Sequence, residues 1–186
     1  MGYLPIFLQV AGARCMVVGA GEVAARKAQS LLDAGAEVTV VSPALGAAME
    51  DGARAGRIRH ISRAYETGDM RGYALVFAAT DDPVLHKNLF DEARALFIPI
   101  NVADEPEFCT FIMPAVMTRG ALKIAVSTGG ASPAMAKRIA ARIDRVFGPE
   151  YGVTLEILRA ARLHLKTTQA SVARRSRLLS SLAASR

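Results

Sequence analysis

Gly19-Ala20-Gly21-Glu22-Val23-Ala24 stands where an apolar run, Cys15–Gly19 (CMVVG), gives way to a stretch of helical periodicity. No other feature constrains the fold of this chain as much. The first glycine permits a tight turn, the second lets backbone approach a diphosphate, and Ala24 allows the helix to lie close on the sheet. The following segment places Val23, Ala24, Ala28, Leu31 and Leu32 on one face and stops at Gly35, which suits a helix ending there. A buried strand feeding such a turn and helix is the first unit of a parallel sheet with helices on its faces.

The rhythm continues. Glu37–Val41 (EVTVV) is β-branched and predicts a second strand closed by Ser42-Pro43; Ala44 to Ala55 predicts a helix, and Arg57–Ile61 a short third strand. Ala74–Ala79 (ALVFAA) predicts another buried strand. Asp82 is placed as N-cap, with Pro83 at the first position, of a helix to about Leu96, and Phe97–Val102 predicts the next strand. Alternation of this kind builds a Rossmann-like, doubly wound α/β sheet. Beyond it, Phe111–Met117 and Leu122–Ser127, separated by Thr118-Arg119-Gly120-Ala121, predict a hairpin rather than a crossover. Ser132-Pro133 opens a helix to about Phe147, Gly148-Pro149 ends it, and the remainder reads as mostly helical.

The 186 residues suffice for one domain with an appendage, and 52% apolar residues against 22% charged exclude disorder as the main state. The two cysteines, Cys15 and Cys109, cannot form a disulfide framework and have no metal-ligand spacing. The start lacks a basic, apolar leader, and no run of about 18 uncharged apolar residues occurs. The expectation is a soluble, cytoplasmic protein with no membrane partner. The net charge of +6 resides in the last 36 residues, where seven basic side chains face Glu156 alone. That suits an anionic partner, or simply a solvated helix face. No aromatic residue follows Tyr151 to stack bases, so nucleic acid is not expected.

Ligands of open α/β sheets bind beyond the C-terminal ends of the strands. Those ends hold Ser42, Thr80, Asp81, Asp82, Asn101 and Asp104. Where an acidic residue usually holds the ribose hydroxyls, Ser42-Pro43 stands instead. Serine can still bond a ribose and no arginine is present for a 2′-phosphate, so NAD is favoured over NADP. Asp104, in Asn101-Val102-Ala103-Asp104-Glu105-Pro106, is placed to take a proton as a hydride leaves for a nicotinamide. On position alone it serves equally as a turn residue. Asp82 reads as a cap. His60, His86 and His164 are scattered and read as packing or surface residues, and both cysteines read as buried, inert thiols.

Taken together, Tyr3-Leu4-Pro5-Ile6-Phe7-Leu8, Val17 to Lys27, Ala78-Ala79-Thr80-Asp81-Asp82, Asn101-Val102-Ala103-Asp104, Phe111-Ile112-Met113-Pro114 and Ser127 to Pro133 form a longer pattern. Over about residues 3–145 it resembles the precorrin-2 dehydrogenase/sirohydrochlorin ferrochelatase family, the N-terminal module of siroheme synthase. The resemblance implies an NAD-binding domain over 1–112, a hairpin-plus-helix dimerisation region over 113–148 and a helical region over 149–186. It further implies oxidation of precorrin-2 to sirohydrochlorin with NAD, in some members followed by insertion of ferrous or cobaltous ion as a substrate, by a homodimer. No methyltransferase region follows, so precorrin-2 is expected to be supplied.

The family's essential aspartate matches Asp104. Gly19, Gly21, Glu22, Val23, Ser42, Pro43, Ala44, Thr80 and Asn101 fall at cofactor positions. Thr128 matches a serine that is phosphorylated in some relatives and, with Arg138 and Arg142, is expected to face the polycarboxylate substrate; Arg159 and Arg162 are further candidates. No residue is expected to hold a resident metal. Two other readings remain open on sequence alone: a non-catalytic dinucleotide sensor, and a chelatase without dehydrogenase activity.

Overall fold

The computed structural model describes residues 2–168 and 171–184. The chain divides into two compact units, Met1–Ile112 and Met113–Arg186. In the first, β1 (Arg14–Val18), β2 (Glu37–Ser42), β3 (Ile58–Ser62), β4 (Leu75–Ala78) and β5 (Ile100–Val102) form one parallel sheet in the order β3-β2-β1-β4-β5. Helices α1 (Glu22–Asp33), α2 (Ala47–Arg54) and α3 (Pro83–Ala95) make the β1–β2, β2–β3 and β4–β5 crossovers, and β3 joins β4 without a helix. Strand residues alternate between two cores. Cys15, Val17, Val38, Val40 and Phe77 pack with Ala24, Ala28, Leu31 and Met49. Met16, Val18, Val41, Val76 and Ala78 pack with Leu89 and Ala93. Burial on both faces explains the uninterrupted apolar strands. Strand order reverses between β1 and β4, the point past whose C-terminal ends ligands of such sheets bind.

Several boundaries differ from the sequence expectation, each for a local reason. The strand expected from Phe97 begins only at Ile100, because residues 96–98 terminate α3. Phe97 takes φ 55°, its N–H donates to Arg94 O (3.2 Å), and Ile98 N–H donates to Ala93 O (2.9 Å). This is a Schellman cap with phenylalanine where glycine is usual. Helix α2 starts at Ala47, not Ala44, with Gly46 as N-cap. A side chain at Gly46 would strike the Ala20 carbonyl, so the loop after β2 rests on the glycine turn. Pro106–Phe108 forms a short 3₁₀ turn where no element was expected.

In the second unit, β6 (Ala115–Arg119) and β7 (Leu122–Val126) pair antiparallel, with Arg119 opposite Leu122. Gly120 turns the chain at φ 56°, and Gly152 lies so close that a side chain on either would crowd the other's backbone. The strands are shorter than expected: Phe111 stacks edge-on to Phe77 (5.5 Å between centroids) and belongs to the first unit. Helix α4 (Pro133–Val146) lays Ala136 and Ala140 on the hairpin. Arg119 ties its end down, pairing with Asp144 (2.7 Å) and donating to the Phe147 carbonyl (3.1 Å). Helices α5 (Glu150–Thr168) and α6 (Val172–Ala184) follow and pack on each other. Among the described residues no helix is long and apolar enough to cross a membrane.

Candidate functional site

The glycine turn shows why each glycine is required. Gly19 takes φ 107°, and a side chain there would collide with the Ala79 carbonyl and meet Thr80 Cγ2 at 3.3 Å. It brings the ends of β1 and β4 together. Gly21 is different. Its φ of −72° is open to any residue, and nothing lies within 4 Å of where a Cβ would project. Neither backbone conformation nor packing asks for glycine there, which leaves access of a ligand to the backbone as the physical reason.

Gly21 is also the N-cap of α1 and offers no side-chain acceptor, whereas Asp82 caps α3 and Ser132 caps α4. The uncapped N–H groups and the positive end of the α1 dipole therefore face outward, as a diphosphate requires. Glu22 is exposed and Val23 half-buried beside them. The arrangement fits NAD.

Along the rim, Thr80 is held at the end of β4. His86 Nε2 bonds its carbonyl at 2.9 Å, and its hydroxyl accepts from Asp82 N–H at 3.4 Å. Asp82 Oδ1 accepts from Val84 and Leu85 N–H, the capping role expected of it. Pro43 and Ala44 remain exposed after β2.

At three expected contact positions the side chain has partners within the protein. Ser42 is buried, and its hydroxyl donates to Ala44 O (2.8 Å) and lies 3.1 Å from His60 Nε2. That hydroxyl is engaged within the protein. Asn101 is likewise buried, its amide donating to Phe111 O (3.0 Å) and Cys109 Sγ (3.4 Å). It braces the loop after β5. In the second unit, the Thr128 hydroxyl accepts from Ser132 N–H and donates to Ser132 O, each at 3.0 Å, and so closes its own turn.

Asp104 follows β5, exposed, with φ 61°. Aspartate tolerates this left-handed region better than most residues, but not without cost. Cys109 secures the loop. Its Sγ accepts from Val102 N–H (3.2 Å), and its one proton is shared between Val102 O (3.2 Å) and Glu105 O (3.3 Å). Burial pushes this thiol up, so it stays protonated.

Lys27, which the sequence reading met only within the longer pattern, projects from α1 toward the same loop. Its Nζ sits 5.0 Å from the Phe77 ring centroid. Burial lowers its pKa; Cys109 and Asp104 oppose that shift, while Arg26 adds to it. In the second unit Arg138 and Arg142 are exposed on α4, and Arg138 contacts Met135 Sδ at 3.2 Å. Among the described residues no three of His, Cys, Asp and Glu converge as a metal site.

A doubly wound sheet, its strand-order reversal and an open, uncapped glycine turn define a dinucleotide-binding module. Residues 6–115 match the family described as NAD(P)-binding, and residues 119–145 match the sirohaem biosynthesis protein central family. The siroheme synthase of Methylobacillus flagellatus is 44% identical over 152 residues, 82% of this chain and 32% of that protein. That of Azotobacter vinelandii is 41% identical over 166 residues, 89% of this chain and 36% of that protein. The solved structure of SirC, precorrin-2 dehydrogenase, superposes with TM-score 0.79 at 26% identity, covering 97% of this chain and 89% of that one. The chain thus belongs to the NAD(P)-binding family, and it carries the central region of the sirohaem biosynthesis protein behind that domain. It spans about a third of the length of the siroheme synthases it matches.

Proposed function

We propose that the chain dehydrogenates precorrin-2 to sirohydrochlorin with NAD, using Asp104 as the base. The likeness to SirC along nearly the whole of both chains supports this reading. The observation that carries it is Asp104 itself: an exposed carboxylate in left-handed backbone, on the loop after β5, the strand next to β4 at the strand-order reversal. NAD, when bound, supplies the hydride acceptor. Gly19, Gly21 and the first turn of α1 hold its diphosphate, with Glu22, Val23, Pro43, Ala44 and Thr80 lining the rim. Loss of hydride from the reduced macrocycle leaves a proton to be removed, and the Asp104 carboxylate receives it.

Precorrin-2 carries eight carboxylates, so exposed Arg138, Arg142, Arg159 and Arg162 suit its charge, with Thr128 shaping the adjoining turn. Residues 1–112 bind NAD, 113–148 form a homodimer contact and 149–186 contribute helices. The hairpin supports the dimer. A two-stranded sheet has both outer edges unpaired, and Val116, Met135 and Val146 are exposed in the same unit. Ferrous or cobaltous ion enters as a second substrate, held by the macrocycle. Use of NAD and the free thiols of Cys15 and Cys109 support a cytoplasmic setting.

The test is anaerobic incubation of protein, precorrin-2 and NAD with NADH absorbance followed, then addition of metal. NADH must form with the native chain and fall roughly 10²-fold or more in Asp104→Ala, with NAD binding retained. Turnover unaffected by that change ends the assignment of the base.

A further inference from the structure

Lysine is rarely drawn into a helix–sheet contact unless it is paired. Lys27 is such a case. It sits three residues after Ala24 and four before Leu31, both buried against the sheet, and is itself half-buried. Its ammonium lies on the Phe77 ring, and among the described residues no carboxylate comes within ion-pair distance of it. A partly desolvated cation with only an aromatic face for a partner is an incomplete arrangement, which an anion would complete. Its acidic and thiol neighbours are Asp104 and Cys109. Asp104 acts on Lys27 through its charge, with no hydrogen bond or ion pair between them, so the ammonium keeps its hydrogen-bonding capacity.

We propose that Lys27 receives one carboxylate of the polyacid substrate beside Asp104, and so fixes which edge of the macrocycle meets the base. This rests on the dehydrogenase reading above. The role is one of binding and selection. The ammonium donates to the carboxylate, no bond is made or broken there, and the proton leaving the substrate still goes to Asp104. Lys27 stands on the second turn of the helix that opens at the diphosphate turn, and its charge interacts with Asp104 and Cys109 of the loop after β5. It therefore discriminates between substrates and leaves cofactor binding alone.

Two measurements test this. In the unaltered protein, Lys27 is acetylated with a limiting amine-reactive reagent and read by peptide mass spectrometry. Saturating sirohydrochlorin should protect it several-fold, and NAD alone should not. Protection by NAD alone, or none by sirohydrochlorin, overturns the proposal even if NADH formation proceeds normally. In kinetics, Lys27→Met keeps the apolar stem on Phe77 and should raise KM for precorrin-2 roughly tenfold with NAD affinity unchanged, while Lys27→Arg restores most of it. An unchanged KM, or a loss confined to NAD affinity, also overturns it. Absence of NADH from the native chain would instead refute the dehydrogenase reading, and the labelling result would stand apart from that failure.

Discussion

The thiol of Cys109 spans both sides of Asp104: its Sγ lies 3.2 Å from the Val102 carbonyl oxygen and 3.3 Å from that of Glu105. A cysteine five residues downstream thereby holds the loop in which Asp104 adopts φ 61°. Cys109→Ala removes this staple and leaves a small void, so stability should fall by about 1–2 kcal/mol. NADH formation should decline more than NAD affinity, because the change acts on the base and not on the glycine turn. Cys109→Ser tests the geometry: its shorter C–O bond cannot reach both carbonyls, and its turnover should lie between those of the native and alanine forms. Denaturant titration and steady-state kinetics decide it.

Gly21→Ala separates binding from folding. The backbone there is compatible with alanine and the space is open, so the melting temperature should hardly move. The added methyl stands where a diphosphate must approach, and the Kd for NAD should rise roughly tenfold, about 1.4 kcal/mol. Gly19→Ala should behave in the opposite way and destabilise the fold, since φ 107° and the Ala79 carbonyl both oppose a side chain. Calorimetric NAD titration alongside thermal melts distinguishes them.

Features read correctly from sequence were those whose causes lie within a few residues. Asp82 and Ser132 cap helices through N–H groups two or three positions away, and the β1–α1 turn is written in adjacent glycines. What was not legible has distant causes. Ser42 meets His60 from the next strand, and Asn101 meets Cys109 and Phe111, partners that no local pattern announces. The strand boundary near Phe97 moved because a bulky residue fills a position that sequence rules give to glycine. Lys27 and Gly46 carried no local signal: one rests on Phe77 of β4, on the face of the sheet that α1 covers, and the other on the Ala20 carbonyl.

Asp104 should show stability and activity in opposition. Replacing it with glycine relieves the left-handed backbone and should stabilise the protein by up to about 1 kcal/mol, while NADH formation is lost. Asp104→Asn keeps the conformational tolerance and removes only the base, so its melting temperature should match the native value with the same loss of turnover. Thermal melts on both variants, set beside the NADH assay, check this. A glycine variant that melted lower than the native protein would show that Asp104 makes a stabilising contact.

Acid sensitivity should pass through Asp69, in the segment between β3 and β4. Arg63 Nη1 and Nη2 meet its two carboxylate oxygens at 2.6 and 2.8 Å, and Glu66 N–H donates to it at 3.0 Å. The hydrogen-bonded Arg63 guanidinium holds this carboxyl below the usual aspartate range, with burial opposing and the Glu66 N–H reinforcing the shift. A folded-state pKa below the unfolded value means that the unfolded chain binds the proton more readily. The contribution is therefore complete above about pH 4, the unfolded aspartate value, and is lost as pH falls through the lower folded value. Asp69→Asn should melt below the native protein at pH 7, and the gap should narrow steadily as pH drops below about 4. Both partners retain contact with water, so the gap at pH 7 should shrink in high salt. Melting curves from pH 7 to pH 3 at two ionic strengths measure both dependences, and a gap constant across that range would place the stabilisation in neutral hydrogen bonds and not in the ion pair.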